Sequence, residues 1–171
     1  VYDVLKRMMD VCFGAVLFVL SLPFSLLAYL AIKLDDGGPA FIIQNRIGKD
    51  NQPVRVYKFR TMTGDDGGNY QGGRTTLQET RVGSFLRKSR VDEFPQFWNV
   101  IRGDLSLVGP RPELPSLVHV YEEEIAYYRV RHLIKPGLSG WAQIYHERHP
   151  HHGQAIEQTK EKLSYDLYYI K

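Results

Sequence analysis

Asp92 and Glu93 are adjacent carboxylates placed just ahead of Phe94-Pro95, with Arg87, Lys88 and Arg90 immediately before them. Proline suits the first turn of a helix, so the spacing predicts a helix from Glu93 to Arg102 with the acidic pair at its N-terminus. The dipole and the unsatisfied N–H groups of such an end favour anions. Carboxylates among this many cations are expected to have a lowered pKa, to be ion-paired, or to share a phosphate with them. An N-cap with surface salt bridges has the same spacing, and spacing alone does not separate the two.

Three other motifs put polar groups on stiff or ordered backbone. Tyr57 to Met62 sets Lys58 and Arg60 at the end of a strand, read either as an ordinary edge or as a place for an anion. Pro110 and Pro112 fix the backbone on either side of Arg111. A held guanidinium suits phosphate, although a stiff connector would look alike. Lys135 to Trp141 is another constrained turn, leading into an aromatic. His146, His149, His151 and His152 have the composition of a metal cluster but sit among proline and glycine without sustained helical spacing, and are read as solvated loop. No G-x-G-x-x-G, P-loop or G-x-S-x-G occurs. Cys12 is the only cysteine, which excludes an internal disulfide framework and a cysteine zinc site and points to a reducing compartment.

These groups need a scaffold, and 171 residues with 43% apolar and 24% charged content are enough for one globular core. A net charge of +3 is too weak to argue for nucleic acid and suits an anionic substrate or lipid surface. One segment stands apart. From Val11 to Ile32 there are 22 residues without a charge, with Lys6 and Arg7 before them and Lys33 after. The length can span a bilayer, but cations at both ends predict that both ends stay on the cytoplasmic side. Pro23, near the middle, predicts a kink. Together these features predict a re-entrant hairpin of two apolar legs, with Ser21 and Ser25 able to satisfy backbone groups freed at the break, ahead of a plain transmembrane helix, a buried core helix and a signal peptide.

Beyond Lys33 the pattern predicts a turn at Asp35 to Pro39, then strands at Ala40 to Ile43 and Val54 to Phe59. A polar loop follows at Thr63 to Thr76. A short helix is predicted over Val82 to Ser89, with Val82, Phe85 and Leu86 on one face. Leu105 to Val108 reads as extended, Leu114 to Arg131 as one helix with a glutamate face and a tyrosine face, and Trp141 to Ile144 as extended. Gln154 to Lys171 reads as an amphipathic helix. The chain opens on Val1 rather than Met and ends without a helix stop, so a fragment or trimmed chain is expected.

Taken in order, the motifs stop being independent. Lys6-Arg7 and Asp10, the proline-interrupted apolar run, Gly38-Pro39, Gln44 to Gly48, Tyr57 to Met62, Arg87 to Gln96, Asn99-Val100, Gly103 to Pro112, Lys135 to Gln143 and Tyr165-Asp166 together resemble the bacterial sugar transferase family, the monotopic phosphoglycosyl transferases. The resemblance implies a helix-rich α/β fold. A re-entrant membrane helix-break-helix would occupy residues 1–34, and a cytoplasmic catalytic domain with amphipathic surface helices residues 35–171. It implies an enzyme of the bacterial inner membrane, on its cytoplasmic face. That enzyme transfers a sugar-1-phosphate from a UDP-sugar to undecaprenyl phosphate and releases UMP, as the first membrane step of exopolysaccharide, capsule or O-antigen synthesis. It implies Mg²⁺, with Asp92 as nucleophile and metal ligand and Glu93 as its catalytic companion. Arg87, Arg111, Lys58, Arg60, Pro110, Pro112 and Gln143 would bind substrate and its phosphates, and Pro23 with Ser21 would form the membrane break. The expected partners are the UDP-sugar, undecaprenyl phosphate and the lipid bilayer, with a homo-oligomer compatible and nucleic acid not expected. Family members often carry serine directly before the break proline, whereas here Leu22 separates Ser21 from Pro23. The alternatives are a membrane-associated nucleotide-sugar pyrophosphatase and an inactive scaffold of the same fold.

Overall fold

The computed structural model describes residues 2–64, 77–145 and 156–171. The tip of the predicted polar loop and the stretch holding His146, His149, His151 and His152 lie outside the described residues. The chain divides into two compact units, one of Val1–Gln44, Arg55–Gly68 and Thr76–Gly103, the other of Asn45–Val54, Asn69–Thr75 and Asp104–Lys171. Strands β1 (Phe41–Ile47) and β2 (Pro53–Phe59) pair as a two-stranded sheet, and along them the chain leaves the first unit and returns to it. The turn between them uses left-handed backbone at Asp50 and Asn51, two residue types that tolerate it.

The first unit is organised by α1, Tyr2–Asp35. Its withdrawn residues recur every three or four positions: Asp10, Gly14, Ser21, Ala28 and Ile32 are buried, with Arg7, Phe18 and Ser25 half-buried between them. That is the period of one helix face. The opposite side leaves Phe13, Val16, Leu20, Phe24, Leu27 and Leu30 exposed. The helix continues through Pro23, so the expected separation into two legs is absent from the secondary structure. Proline's own φ fits a helix, and the ladder loses only the bond to the carbonyl of Val19. Ser21 Oγ donates to Phe18 O at 2.7 Å, one residue before that carbonyl.

Helix α2 (Arg81–Ser89) starts at Thr80, whose Oγ1 accepts from the Gly83 N–H at 2.9 Å, a standard cap. Leu86 joins Ala28, Ile32, Ala40 and Phe59 in the core of this unit, with Val82 against it. Phe85, expected on the same face, is exposed. Arg90 ends α2 in the left-handed conformation and redirects the chain into a 3-10 turn, Val91–Glu93. Helix α3, Gln96–Arg102, follows. Against the buried face of α1, Gly14 leaves room for Val100 and Phe18 meets Trp98, while the exposed Phe24 touches Phe94 edge to face. Arg7 donates to the carbonyls of Val100 at 2.7 Å and Ile101 at 2.6 Å, satisfying acceptors that the end of α3 leaves open.

In the second unit, β3 (Ser106–Val108) runs parallel to β4 (Gly137–Ser139), with Ser106 opposite Gly137 and Val108 opposite Ser139. Backbones here approach so closely that a Cβ on Gly137 or Gly140 would collide with Gly109. Helix α4 (Pro115–Glu124) places Leu117, Val118 and Tyr121 in a core with Leu114, Ile125, Tyr128 and Leu163. The single helix expected from Leu114 to Arg131 is interrupted: Ile125 is extended, Tyr127 is left-handed, and a 3-10 segment covers Tyr128–Leu133. Three consecutive glutamates at the negative end of the dipole disfavour continuation, and the break turns Ile125 into the core. Trp141 to Ile144, expected to be extended, belongs to α5 (Trp141–Tyr145). The Trp141 and Tyr145 rings stack at 4.9 Å, a contact that one helical turn supplies and a strand does not. Helix α6, Ile156–Ile170, contributes Leu163 and Leu167 to the core.

Candidate active site

The acidic pair occupies the 3-10 turn Val91–Glu93 rather than the first turn of a longer helix, because α3 begins only at Gln96 with Pro95 as its N-cap. Asp92 is 6% exposed, and its Oδ1 has no hydrogen-bond partner among the described residues. Glu93 lies 3.3 Å from Lys58 Nζ, projecting from β2, and 3.7 Å from Arg90. Burial pushes the Asp92 carboxyl up, and the charge of Glu93 adds to this. Lys58, Arg87 and Arg90 pull the other way without cancelling it. The lowered pKa expected from the surrounding cations is therefore corrected to a raised one: loss of water outweighs charges that do not touch Asp92.

Lys58 is positioned by Asn99, which is fully buried in α3. Its Oδ1 accepts from Tyr57 N–H at 3.1 Å and its Nδ2 donates to Arg55 O at 2.7 Å, binding β2 on either side of Val56. Arg87 acts on Asp92 only through its charge, since its Nη1 pairs with Glu79 at 2.6 Å. Arg60 is drawn into the fold by its own partners. It is 4% exposed and donates to Pro39 O at 2.6 Å, to Met62 O at 3.1 Å and to both oxygens of Asp36. The Arg60 hydrogen bonds and the Gly38 N–H hold the Asp36 carboxyl below its ordinary range. With four N–H bonds directed inward, Arg60 fastens the end of α1 to the end of β2.

Pro110, Arg111, Pro112 and Gln143 belong to the second unit. The loop is anchored through its backbone. Gly109 N–H donates to Ser139 O at 2.8 Å, Gly137 N–H to Pro110 O at 2.9 Å, and Arg131 Nη2 to Arg111 O at 2.9 Å. Arg131 and Asp166 are each 2% exposed, and Arg131 also donates to Asp166 Oδ2 at 2.9 Å and Tyr128 OH at 3.0 Å. Gln143 Nε2 donates to Leu138 O at 3.0 Å, while its buried Oε1 has no partner among the described residues. Glu113 pairs with Lys162. Burial would push this carboxyl up, but Lys162, Arg131 and Arg46 bring it down to about 2.

Sequence reasoning quoted Gln96 and Asn99 only within motifs, gave them no role, and passed over Arg131. For Arg131 the one available signal was a cation between Val130 and Leu133. For Gln96 and Asn99 it was amides in a helix whose neighbours are apolar.

Among the described residues, no group of three or more His, Cys, Asp or Glu is gathered as a metal cage. Mg²⁺ is commonly held by one or two carboxylates together with substrate phosphates, and an unpartnered Asp92 oxygen beside Glu93 fits that donor set.

With fold and site in hand, the class follows. The whole chain, residues 1–171, matches the family model for bacterial sugar transferases, and the protein belongs to that family. Its relatives include the UDP-N-acetylgalactosamine-undecaprenyl-phosphate N-acetylgalactosaminephosphotransferase of Aeromonas hydrophila, 40% identical over all of this chain and 40% of the relative. A UDP-glucose:undecaprenyl-phosphate glucose-1-phosphate transferase of Klebsiella pneumoniae is 38% identical over 98% of this chain and 36% of its own length. The exopolysaccharide production protein PSS of Rhizobium leguminosarum bv. phaseoli is 37% identical over 98% of this chain and 86% of its own length. The chain thus spans about two fifths of the first two relatives and most of the third.

Proposed function

We propose that this chain is the catalytic part of a transferase that moves a sugar-1-phosphate from a UDP-sugar to undecaprenyl phosphate, with Asp92 as a transient covalent carrier. The observation that carries the reading is the buried Asp92 carboxylate, whose Oδ1 has no partner among the described residues, beside the Lys58–Glu93–Arg90 charges. In the first half-reaction an Asp92 oxygen forms a bond to the phosphorus that bears the sugar. The bond from that phosphorus to the oxygen of UMP breaks, and its electron pair leaves on UMP. In the second, an oxygen of undecaprenyl phosphate attacks the same phosphorus and returns Asp92 as a carboxylate. A nucleophile with few hydrogen bonds needs little desolvation before attack. Lys58 and Arg90 hold Glu93 oriented next to it, and Arg87 adds positive field where the dianionic donor must approach. Arg111, on its backbone-anchored loop, is assigned to the diphosphate, and Gln143 to donor binding. When bound, Mg²⁺ would neutralise charge on the donor phosphates, with Asp92, assisted by Glu93, as its protein donor.

The membrane reading is supported by α1. Its outward face is apolar along its whole length, while its inward face packs on α3 and the turn carrying Asp92. A perpendicular span would carry α3, with its polar Gln96, Asn99 and Arg102, to the depth of the hydrocarbon, where polar groups are costly. A shallow or re-entrant placement, both ends cytoplasmic, keeps that face in protein and the other in lipid.

The test is trapping. Wild-type chain incubated with radiolabelled UDP-sugar and Mg²⁺, without lipid acceptor, is expected to retain label after denaturation and release one UMP per label. Labelled UMP release that continues to many turnovers without acceptor would instead identify a pyrophosphatase. No adduct, with turnover only when both substrates are present, would leave Asp92 as a metal ligand and the lipid phosphate as direct attacker.

A further inference from the structure

Gln96 is 4% exposed, and its Nε2 has no hydrogen-bond partner among the described residues. A buried N–H left unpaired is unfavourable for folding and rare in native proteins, so it asks for an explanation. The explanation lies four residues earlier. Asp92 Oδ1 is the matching case, a buried acceptor without a donor. Between them the chain keeps right-handed helical backbone, Phe94 at φ −56°, ψ −36° and Pro95 at φ −59°, ψ −19°, with Phe94 N–H donating to Val91 O at 3.1 Å. Asp92 and Gln96 therefore lie within little more than one turn of each other along the chain. A buried acceptor and a buried donor stand that close in sequence, and they do not bond each other.

A group that completes both must offer an electrophilic centre to the carboxylate and an acceptor oxygen to the amide. A phosphoryl group does so. The residue type fits as well. A lysine or arginine here would pair with Asp92 and blunt it as a nucleophile, whereas an amide donates without neutralising it.

We propose that Gln96 is a further catalytic residue, its side-chain N–H donating to a non-bridging oxygen of the phosphoryl group that Asp92 attacks. The inference rests on the reading of Asp92 as nucleophile. As the Asp92–phosphorus bond forms and the electron pair of the broken bond leaves on UMP, negative charge shifts over the non-bridging oxygens, and the fixed N–H stabilises it. Gln96 gains and loses no proton.

The experiment compares wild type, Gln96→Met and Gln96→Glu as full chains in lipid nanodiscs, following UMP release from UDP-sugars with undecaprenyl phosphate and Mg²⁺. Thermal unfolding is measured on the same samples. Removing a donor of this kind is expected to lower kcat by about 10²-fold, with a much smaller change in KM for the donor sugar. Gln96→Met also removes an unpaired buried group, so its melting temperature is expected to rise by roughly 2–4 °C. Gln96→Glu keeps the volume, loses the donor and adds repulsion, so it should be slower still. Gln96→Met turning over at the wild-type rate would overturn the proposal. So would a fall in its melting temperature with kcat retained, which would mark the amide as a structural group satisfied by water. If the wild type itself forms no adduct, the Asp92 reading falls and takes this one with it. A wild type that forms adduct beside a fully active Gln96→Met removes Gln96 alone.

Discussion

Asp92 and Glu113 are both carboxylates drawn out of water, and their surroundings treat them in opposite ways. Around Glu113 the second unit supplies partners: Lys162 in contact, with Arg131 and Arg46 close enough to lower its pKa to about 2. The same unit closes Arg131 completely between Asp166, Tyr128 and the Arg111 carbonyl. In the first unit Asp92 is also withdrawn, yet its Oδ1 has no partner among the described residues and its pKa is raised. Paired charges hold a fold in place. A bare one is a cost that a ligand can offset, and the contrast supports the role proposed for Asp92.

The sharpest test of this contrast is Asp92→Asn. If the group is held against the preference of the fold, turnover is expected to fall by about 10⁴-fold or more while the melting temperature stays level or rises. Kinetics of UMP release and thermal melts on one preparation check both halves. A variant that loses activity through unfolding would erase the difference between the two carboxylates.

Asp166→Ala is the converse. It strands Arg131 as a buried, unpaired cation, and breaking such a pair is expected to destabilise by about 3–5 kcal/mol, read from denaturant unfolding. A loss under 1 kcal/mol would mean that the network of the second unit is not what holds it together.

His132 extends the comparison to pH. Burial first, and the neighbouring Arg131 second, lower its pKa to about 4 from an ordinary 6.5, and neither ring nitrogen has a partner among the described residues. The unfolded chain therefore takes up this proton before the folded one does. Stability contributed by neutral His132 is complete above about pH 6.5 and is lost as pH falls toward 4. The loss is on the order of 3 kcal/mol from this group, and His132→Phe is expected to flatten the pH dependence across that window. An unchanged slope in the variant would assign the acid sensitivity elsewhere. Glu113, by contrast, would give up its contribution only between about 4.5 and 2.

Arg111→Lys carries the smallest expected effect and the one most able to complicate the contrast. If the second unit also serves the reaction, replacing a planar fork by a point charge should raise KM for the UDP-sugar roughly tenfold with the melting temperature unchanged. Wild-type kinetics in the lysine variant would make Arg111 a purely structural part of its loop.

Much of this was legible from residue types. The two strands and α2 follow from apolar patterning, and the acidic pair, Lys58 and the Pro-Arg-Pro loop were visible as motifs. What was not legible depends on burial and on distant partners. Counting cations near Asp92 gave the wrong sign for its pKa, because charge shows in a sequence and desolvation does not. Arg60 and Arg131 look like any other arginine until Asp36 and Asp166, 24 and 35 residues away, are brought to them. Pro23 marks a lost hydrogen bond in the sequence, but that the helical assignment of α1 runs on through it depends on the face packed against the protein, which the sequence does not show.

The crossing of backbones at Gly109, Gly137 and Gly140 bears on how genetic data from this protein should be interpreted. Any side chain larger than hydrogen at Gly137 or Gly140 must push the Gly109 backbone, and with it the loop that starts at Pro110. A saturation screen scored by growth or glycan output would therefore rank these glycines among its most intolerant positions. Their intolerance would look the same as that of Asp92, although none of the three offers a side-chain atom to a substrate. Tolerance maps report crowding and chemistry in one number, and a protein-abundance readout taken beside the activity score separates them.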